Sequence, residues 1–436
     1  MKYIISIFIL LSATFNLPAQ NADGGNGHAI ILDKNGNVWT IGRNNFGQLG
    51  DSTHLDSPVP KKVKGLKNII SISRGYDHSI ALDNSGNLFL WGRNNYGQLG
   101  TPLLNDQLTP QKLQNHTNFI AVEGGQWHTV GLKKDGTVWC WGHNFFGELG
   151  NGTREHSPWP VEVVQKVSGK ISVLSDITQI ASVGNHTLAL KKDGTVWGWG
   201  TNEYNQLGFK GNPIEQYAMR IKGIPAIKQI AVGWQHNVAL DFNGNLWVWG
   251  SDPSSQFGEE TKKFYDRPFM LQGLPEFTKI ACGSWHSLAI DENKNVWAWG
   301  KNNYGMLGTG DTISRSLPVK IESLKNIVDI GGGCFQSIAI DTTGKIFTFG
   351  DNPSGQLGLG NFSRCLSPNL MKLDISGVLR LDSIPEVKKP TVVEVSPELQ
   401  KPFDRDLIYK IIKYLLFLSS IAFNIVLYRK LRNRKS

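Results

Sequence analysis

Short apolar runs broken by Gly, Asn and Asp fill most of the chain, a pattern of strands joined by tight turns. The runs belong to one recurring unit, read most clearly at 227–250: Ile-Lys-Gln-Ile-Ala-Val-Gly-Trp-Gln-His236-Asn-Val-Ala-Leu-Asp-Phe-Asn-Gly244-Asn-Leu-Trp-Val-Trp249-Gly250. Within it, residues 241–244 predict a hairpin loop whose glycine takes the left-handed conformation the turn requires. Equivalent turns fall at Gly36, Gly86, Gly136, Gly194 and Gly344, whereas the sixth copy carries Lys294 and is expected to be strained there. The strand after the turn, 246–249, is apolar at every position instead of alternating, so both faces of its sheet are expected to be covered.

The unit closes at Ile41-Gly42, Trp91-Gly92, Trp141-Gly142, Trp199-Gly200, Trp249-Gly250, Trp299-Gly300 and Phe349-Gly350, at spacings of 50, 50, 58, 50, 50 and 50 residues. A fixed period of this length marks units that cannot bury their own faces and must stack. Sheets stacked face to face in a ring are the blades of a β-propeller. The expected fold is therefore all-β, a seven-bladed β-propeller over residues 20–383, with repeats ending near 50, 100, 150, 208, 258, 308 and 358. The first copy lacks an Ile-x-x-Ile strand before His28, having only residues 21–25, and the last is followed by a surplus run, 377–383, that aligns with 326–332. Pairing of 378–381 with the first blade would close the ring with N- and C-terminal strands and remove open sheet edges.

The full pattern is Gly75-Tyr76-Asp77-His78, then an Asp-x-x-Gly turn, then Trp91-Gly92-Arg93-Asn94-Asn95-Tyr96-Gly97-Gln98-Leu99-Gly100, with parallels in the other copies. It resembles the regulator-of-chromosome-condensation repeat family over residues 22–383. Departures are Val183 for glycine, Gln336 for histidine, and Ser255 for glycine before Gln256-Phe257-Gly258. The resemblance implies the propeller fold. It leaves function open, because the family ranges from a nuclear guanine-nucleotide exchange factor to secreted inhibitors of β-lactamases.

The chain ends change the reading of location. Residues 1–19 combine Lys2, an apolar run over 3–11 and Leu17-Pro18-Ala19, the pattern of a signal peptide. Residues 384–406 form a proline-containing linker. Residues 407–428 are apolar apart from Lys410 and Lys413 and precede the basic tail 429–436. The uncharged stretch is short for a span, and a helix lying in the membrane surface is the alternative. The adjoining basic tail favours a transmembrane helix with a cytoplasmic C-terminus and an extracytoplasmic propeller, periplasmic or extracellular. Net charge is +9, of which the tail supplies five and Lys2 one. The remaining +3 gives no reason to expect nucleic acid as a partner.

No catalytic constellation emerges, and the expectation is a non-enzyme without cofactor or metal. His28, His78, His128, His186, His236 and His286 share one position in six copies, but Gln336 in the seventh is a poor metal ligand, so the row reads as structural. Asn44, Asn94, Asn144, Asn202, Asn302 and Asn352 read as turn-stabilising. Cys140, Cys282, Cys334 and Cys365 show no metal spacing; Cys282 with Cys334 is the disulfide to test first, and buried free thiols fit equally. The loop before each histidine varies between copies and carries Tyr76, Trp127, Trp234, Trp285 and Phe335, with Arg74, Asp77, Gln126, Asn185 and Gln235 beside them. Aromatics in loops of one propeller face are typical interface anchors. The expected function is a membrane-tethered binding scaffold for an extracytoplasmic protein or glycan. The alternatives are a guanine-nucleotide exchange-type regulator, by family analogy, and a secreted-type enzyme inhibitor. Arg43, Arg93, His143 and Lys301 are expected on the opposite face.

Overall fold

The computed structural model describes residues 21–251 and 264–373. Seven sheets follow one another along these residues, six of four strands and one of six, and in each the four blade strands are antiparallel and run in sequence order from an inner to an outer strand. In the second blade these are Ile69–Arg74, His78–Asp83, Leu88–Gly92 and Gln107–Lys112. Every hairpin glycine anticipated above has φ between 73° and 88°. Lys294 holds φ 61° at the same turn, the strained backbone that its missing glycine implied.

The core lies between blades. Trp91, Trp141, Trp199, Trp249 and Trp299 are fully buried, each worth roughly 4–6 kcal/mol of gross transfer free energy at ~25 cal/mol per Å². Three of these indoles reach back to the preceding copy: Nε1 of Trp91 donates to Gln48 O (2.9 Å), that of Trp199 to Glu148 O (2.8 Å) and that of Trp249 to Gln206 O (3.0 Å). The apolar clusters likewise mix neighbours, for example Leu82 and Leu90 of the second blade with Phe119, Val122 and Trp141 of the third.

Two features depart from the sequence reading. The first copy does possess its inner strand: Ala22–Gly24 pairs antiparallel with His28–Leu32, with Gly24 opposite Ala29. Three residues that include Asp and Gly have no readable period, and tertiary contacts hold them instead. Asn21 donates from N and Nδ2 to Asp329 Oδ2 of the seventh blade (3.1 and 3.0 Å), and Gly24 leaves no room for a Cβ beside the Gly333 backbone. The deficit that motivated a hybrid blade is thus filled locally, and the surplus run 377–383 lies outside the described residues. So do the signal segment 1–19, the linker 384–406, the apolar stretch 407–428 and the tail. Among the described residues no helix is long and apolar enough to cross a membrane.

The second departure explains the 58-residue spacing. The extra length forms a hairpin, Val164–Val167 with Lys170–Val173, which joins the outer strand of the fourth blade through a parallel bridge from Gln165 to Ala218.

Candidate binding face

In each blade the inner strand runs up to the loop before the histidine, the second strand returns to the Asp-x-x-Gly turn, and the third climbs back to the Trp-Gly pair. Loops before the histidine and loops after Trp-Gly therefore share one face. This corrects the placement of Arg43, Arg93, His143 and Lys301, which stand beside the aromatics and not opposite them. Arg93 Nη1 lies 3.3 Å from Asp77 Oδ2, Lys301 Nζ 5.4 Å from the Trp285 ring, and the His143 ring 5.4 Å from that of Trp127.

Backbone hydrogen bonds tie the loops to one another around the axis. The N–H of Asn26 donates to Tyr76 O, Tyr76 to Gly125 O, Gln126 to Gly184 O, Trp234 to Ser284 O, Ser284 to Gly333 O and Cys334 to Gly25 O, at 2.7–3.2 Å. The last of these joins the seventh blade to the first.

The five aromatics, all half-buried, divide by place on the face and not strictly by register, since Trp285 stands one position before His286 as Trp127 stands before His128. Tyr76 and Trp234, two positions before the histidine, come from non-adjacent blades and meet edge to face with centroids 5.5 Å apart, which brings them together over the axis. Trp285 stacks on Trp234 at 6.3 Å. Trp127 and Phe335, one position before the histidine, lean outward to Tyr96 (5.5 Å) and Tyr304 (5.1 Å). The five thus form a central trio and two outer pairs instead of one circle.

Phe46, Tyr96, Phe146, Tyr204 and Tyr304 were missed as a second aromatic row. They recur at one position four residues after the Trp-Gly glycine, which reads as architecture until the next blade's cations are seen on them. Arg93 lies over Phe46 at 4.6 Å and Arg364 over Tyr304 at 4.7 Å.

Beneath this face the histidines link successive blades. Nε2 of His28, His78, His128, His186, His236 and His286 faces Ser79, Thr129, Thr187, Asn237, Ser287 and Ser337 at 2.7–3.4 Å. The partner's own hydrogen is committed elsewhere: Ser79 Oγ donates to Gln48 O, Thr129 Oγ1 to Gln98 O and Ser337 Oγ to Met306 O. Nε2 must then carry the proton and donate, as it must to Asn237 Oδ1. Burial pushes the imidazoles down, to about 3 for His28, His78, His236 and His286 and about 4 for His128 and His186. They are neutral crosslinks. The asparagines are structural too, since Oδ1 of Asn44, Asn94, Asn144, Asn202, Asn302 and Asn352 accepts the N–H five residues on. Cys282 and Cys334 are free buried thiols beside Ser287 and Ser284. Among the described residues no group of three or more His, Cys, Asp and Glu is placed to hold a metal.

The third blade departs from its neighbours at three touching positions. His143 Nδ1 donates to Glu148 Oε1 (2.7 Å), where most copies have glutamine, and the exposed His156 stacks on His143 at 4.6 Å. His156 Nδ1 accepts the N–H of Asn144 (2.9 Å), which Asp56 and Asp106 accept in the first two blades.

The inner strands enclose a channel of about 360 Å³ that the sequence reading did not find. One polar row circles it: Gln179 exchanges hydrogen bonds with the Ile230 backbone, Gln229 with that of Ile280, and Lys279 Nζ donates to Asp329 Oδ1 (2.6 Å). Nearer the aromatic face, Arg74 pairs with Asp23 (3.2 Å) and donates to Gly332 O (2.7 Å). Period-two signals existed in these strands, but the position reads Asn21, Ser71, Ala121, Gln179, Gln229, Lys279 and Asp329, and that mixture concealed the row.

A family model described as the RCC1-like domain matches residues 103–399, and two described as the regulator of chromosome condensation (RCC1) repeat match 35–82 and 69–98. Among solved structures, the chain is similar to Prp20p from Saccharomyces cerevisiae, reported with its binding properties to Gsp1p and histones. Identity there is 25%, TM-score 0.62, over 72% of this chain and 80% of that one. Yeast RCC1 (Prp20) bound to Kap60 gives 21%, TM-score 0.69, over 86% and 91%. Human WBSCR16 gives 21%, TM-score 0.68, over 77% and 93%; the likenesses at 21% speak for the fold alone. No curated protein matches this sequence.

Proposed function

This chain belongs to the family of RCC1-like domains, and on that footing we propose that it is a non-enzymatic scaffold that docks a protein partner through the face carrying Tyr76, Trp234 and Trp285. One observation carries the reading. Half-buried rings from non-adjacent blades converge over the axis on loops clamped by backbone hydrogen bonds, with Arg43, Arg93 and Lys301 around them. Rigid aromatic anchors within a polar rim lose little entropy on binding. That Prp20p is described with binding to Gsp1p and histones supports a protein over a glycan as the partner.

Family analogy supports a second reading, a guanine-nucleotide exchange-type regulator. The signal-like residues 1–19 and the apolar segment before the basic tail weigh against it, and favour a propeller held outside the cytoplasm by 407–428. Protease added to intact cells would then remove the propeller and leave a short protected fragment.

Affinity capture comparing the native protein with Trp234→Ala and Trp285→Ala tests the docking face. Each change is expected to cost about 2 kcal/mol or more of binding free energy, roughly thirtyfold in affinity. A captured partner whose affinity survives both changes in folded protein excludes this face.

A further inference from the structure

The channel carries a second feature, independent of the docking face. The inner strands line the bore with their edges, and on each of them one alternate set of side chains leans from the rim of the bore towards the next blade, as Gln229 does on the Ile280 backbone. At one level these are Glu123 and, in the fourth to sixth blades, Ala181, Ala231 and Ala281, all of which line the cavity. One side of the bore is therefore bordered at this level by alanine methyls, and a carboxylate borders the other. The remaining carboxylates that line it near this level already have cations, Arg74 on Asp23 and Lys279 on Asp329. Glu123 accepts from Ser73 Oγ at 3.1 Å and has no cation within ion-pair distance among the described residues. The bore is closed over by Tyr76 and Trp234 at the aromatic face, and its lining continues to Asn84 and Gly86 at the turn face.

We propose that this channel binds a primary ammonium group, entering from the turn face, with Glu123 as its counter-ion. The chemistry of the wall selects that class. Calcium takes about six to eight oxygens and zinc about four ligands rich in His or Cys, which one free carboxylate and a hydroxyl do not supply. A guanidinium is best met by two carboxylate oxygens in a fork, whereas one oxygen of Glu123 is engaged by Ser73. An ammonium needs a single strong acceptor, and the alanine methyls suit the alkyl chain behind it. The group belongs either to a free amine or to a lysine side chain.

Binding has a proton signature. Burial, with Asp23 nearby, pushes the Glu123 carboxyl up to about 8 against the opposing pull of the Ser73 hydroxyl and the Arg74 guanidinium. At pH 7 the carboxyl is mostly protonated; an arriving ammonium ionises it, and the proton passes to the buffer. Atoms and charge balance, with one proton released for each ammonium bound.

Isothermal titration of the intact chain with propylamine and with N-acetyl-lysine amide, in buffers of differing ionisation enthalpy, tests this. The expected result is saturable binding that releases close to one proton at pH 7 and almost none above pH 9. Glu123→Gln is expected to weaken binding at least about tenfold and to abolish the proton release. Ala281→Leu, at a half-buried position of the lining, is expected to block binding by narrowing the bore while leaving Glu123 in place. Tighter binding of the lysine amide points to a protein side chain, and preference for propylamine to a free amine. Absence of saturable binding of both probes at about 10 mM, or equal binding by Glu123→Gln, overturns the proposal.

Discussion

Gln336 and Ala29 are matched exceptions. In the other six blades the residue after the histidine position offers a hydroxyl or amide to the preceding blade's imidazole; the first blade has Ala29, which offers nothing. The preceding blade in the ring is the seventh, and it alone replaces histidine, with Gln336. The longer amide bypasses Ala29 and donates from Nε2 to the backbone O of His28 at 3.1 Å.

A double-mutant cycle checks this pairing. Gln336→His alone is expected to destabilise by about 1–2 kcal/mol, leaving a buried Nε2–H without an acceptor. Adding Ala29→Ser is expected to restore part of that loss, with a coupling of at least about 0.5 kcal/mol in urea denaturation. Strict additivity would show that the two positions do not communicate.

The six buried imidazoles predict acid lability. Their pKa is depressed on folding, so the unfolded chain takes up protons first as pH falls below 6.5, and stability is lost from there down to about 3–4. Each contributes up to about 1.4 kcal/mol per pH unit. Glu123 acts in the other direction. Its raised value gives stability that is complete below 4.5 and lost as pH rises towards 8, and burial raises Asp23, Asp77 and Glu215 in the same sense. The urea midpoint is expected to drop steeply between pH 6.5 and 5, and a flat profile would refute neutral histidine crosslinks.

Two glycines separate steric from conformational need. A Cβ on Gly75 would stand 1.9 Å from His78 Cε1, so Gly75→Ala must displace an imidazole that links two blades. Gly65 has open space around it but φ +82°, so Gly65→Ala meets only backbone strain. The first is expected to cost about 2–4 kcal/mol and the second about 1, read from thermal melts.

The loop 144–156 should loosen on mild acidification. Protonating His156 Nδ1 removes the acceptor for Asn144 N–H and sets a cation against His143, 4.6 Å away. The other groups facing it are Glu148, Glu155 and the Tyr96 ring. Burial and His143 hold its pKa below 6.5, so the clamp is intact at neutral pH and opens only beneath that value. Limited proteolysis in this loop is expected to rise about fivefold between pH 7 and pH 5, and His156→Asp, which copies Asp56 and Asp106, to remove the change.

What is repeated within a blade was legible in the residues alone: the period, the turn glycines with Lys294 as their strained substitute, the buried tryptophans, and the structural role of the histidine and asparagine rows. These sit in a turn or at a join that is built the same way in nearly every copy, so each copy states them again. Tertiary structure decided what lies between copies. It set which loops share a face, brought Tyr76 to Trp234, made Ala22–Gly24 a strand, and gathered Asp23, Glu123, Lys279 and Asp329 into one bore. Such contacts join residues about one repeat or more apart and differ at every join, so no single copy records them; only stacking and closing the blades brings the partners within reach.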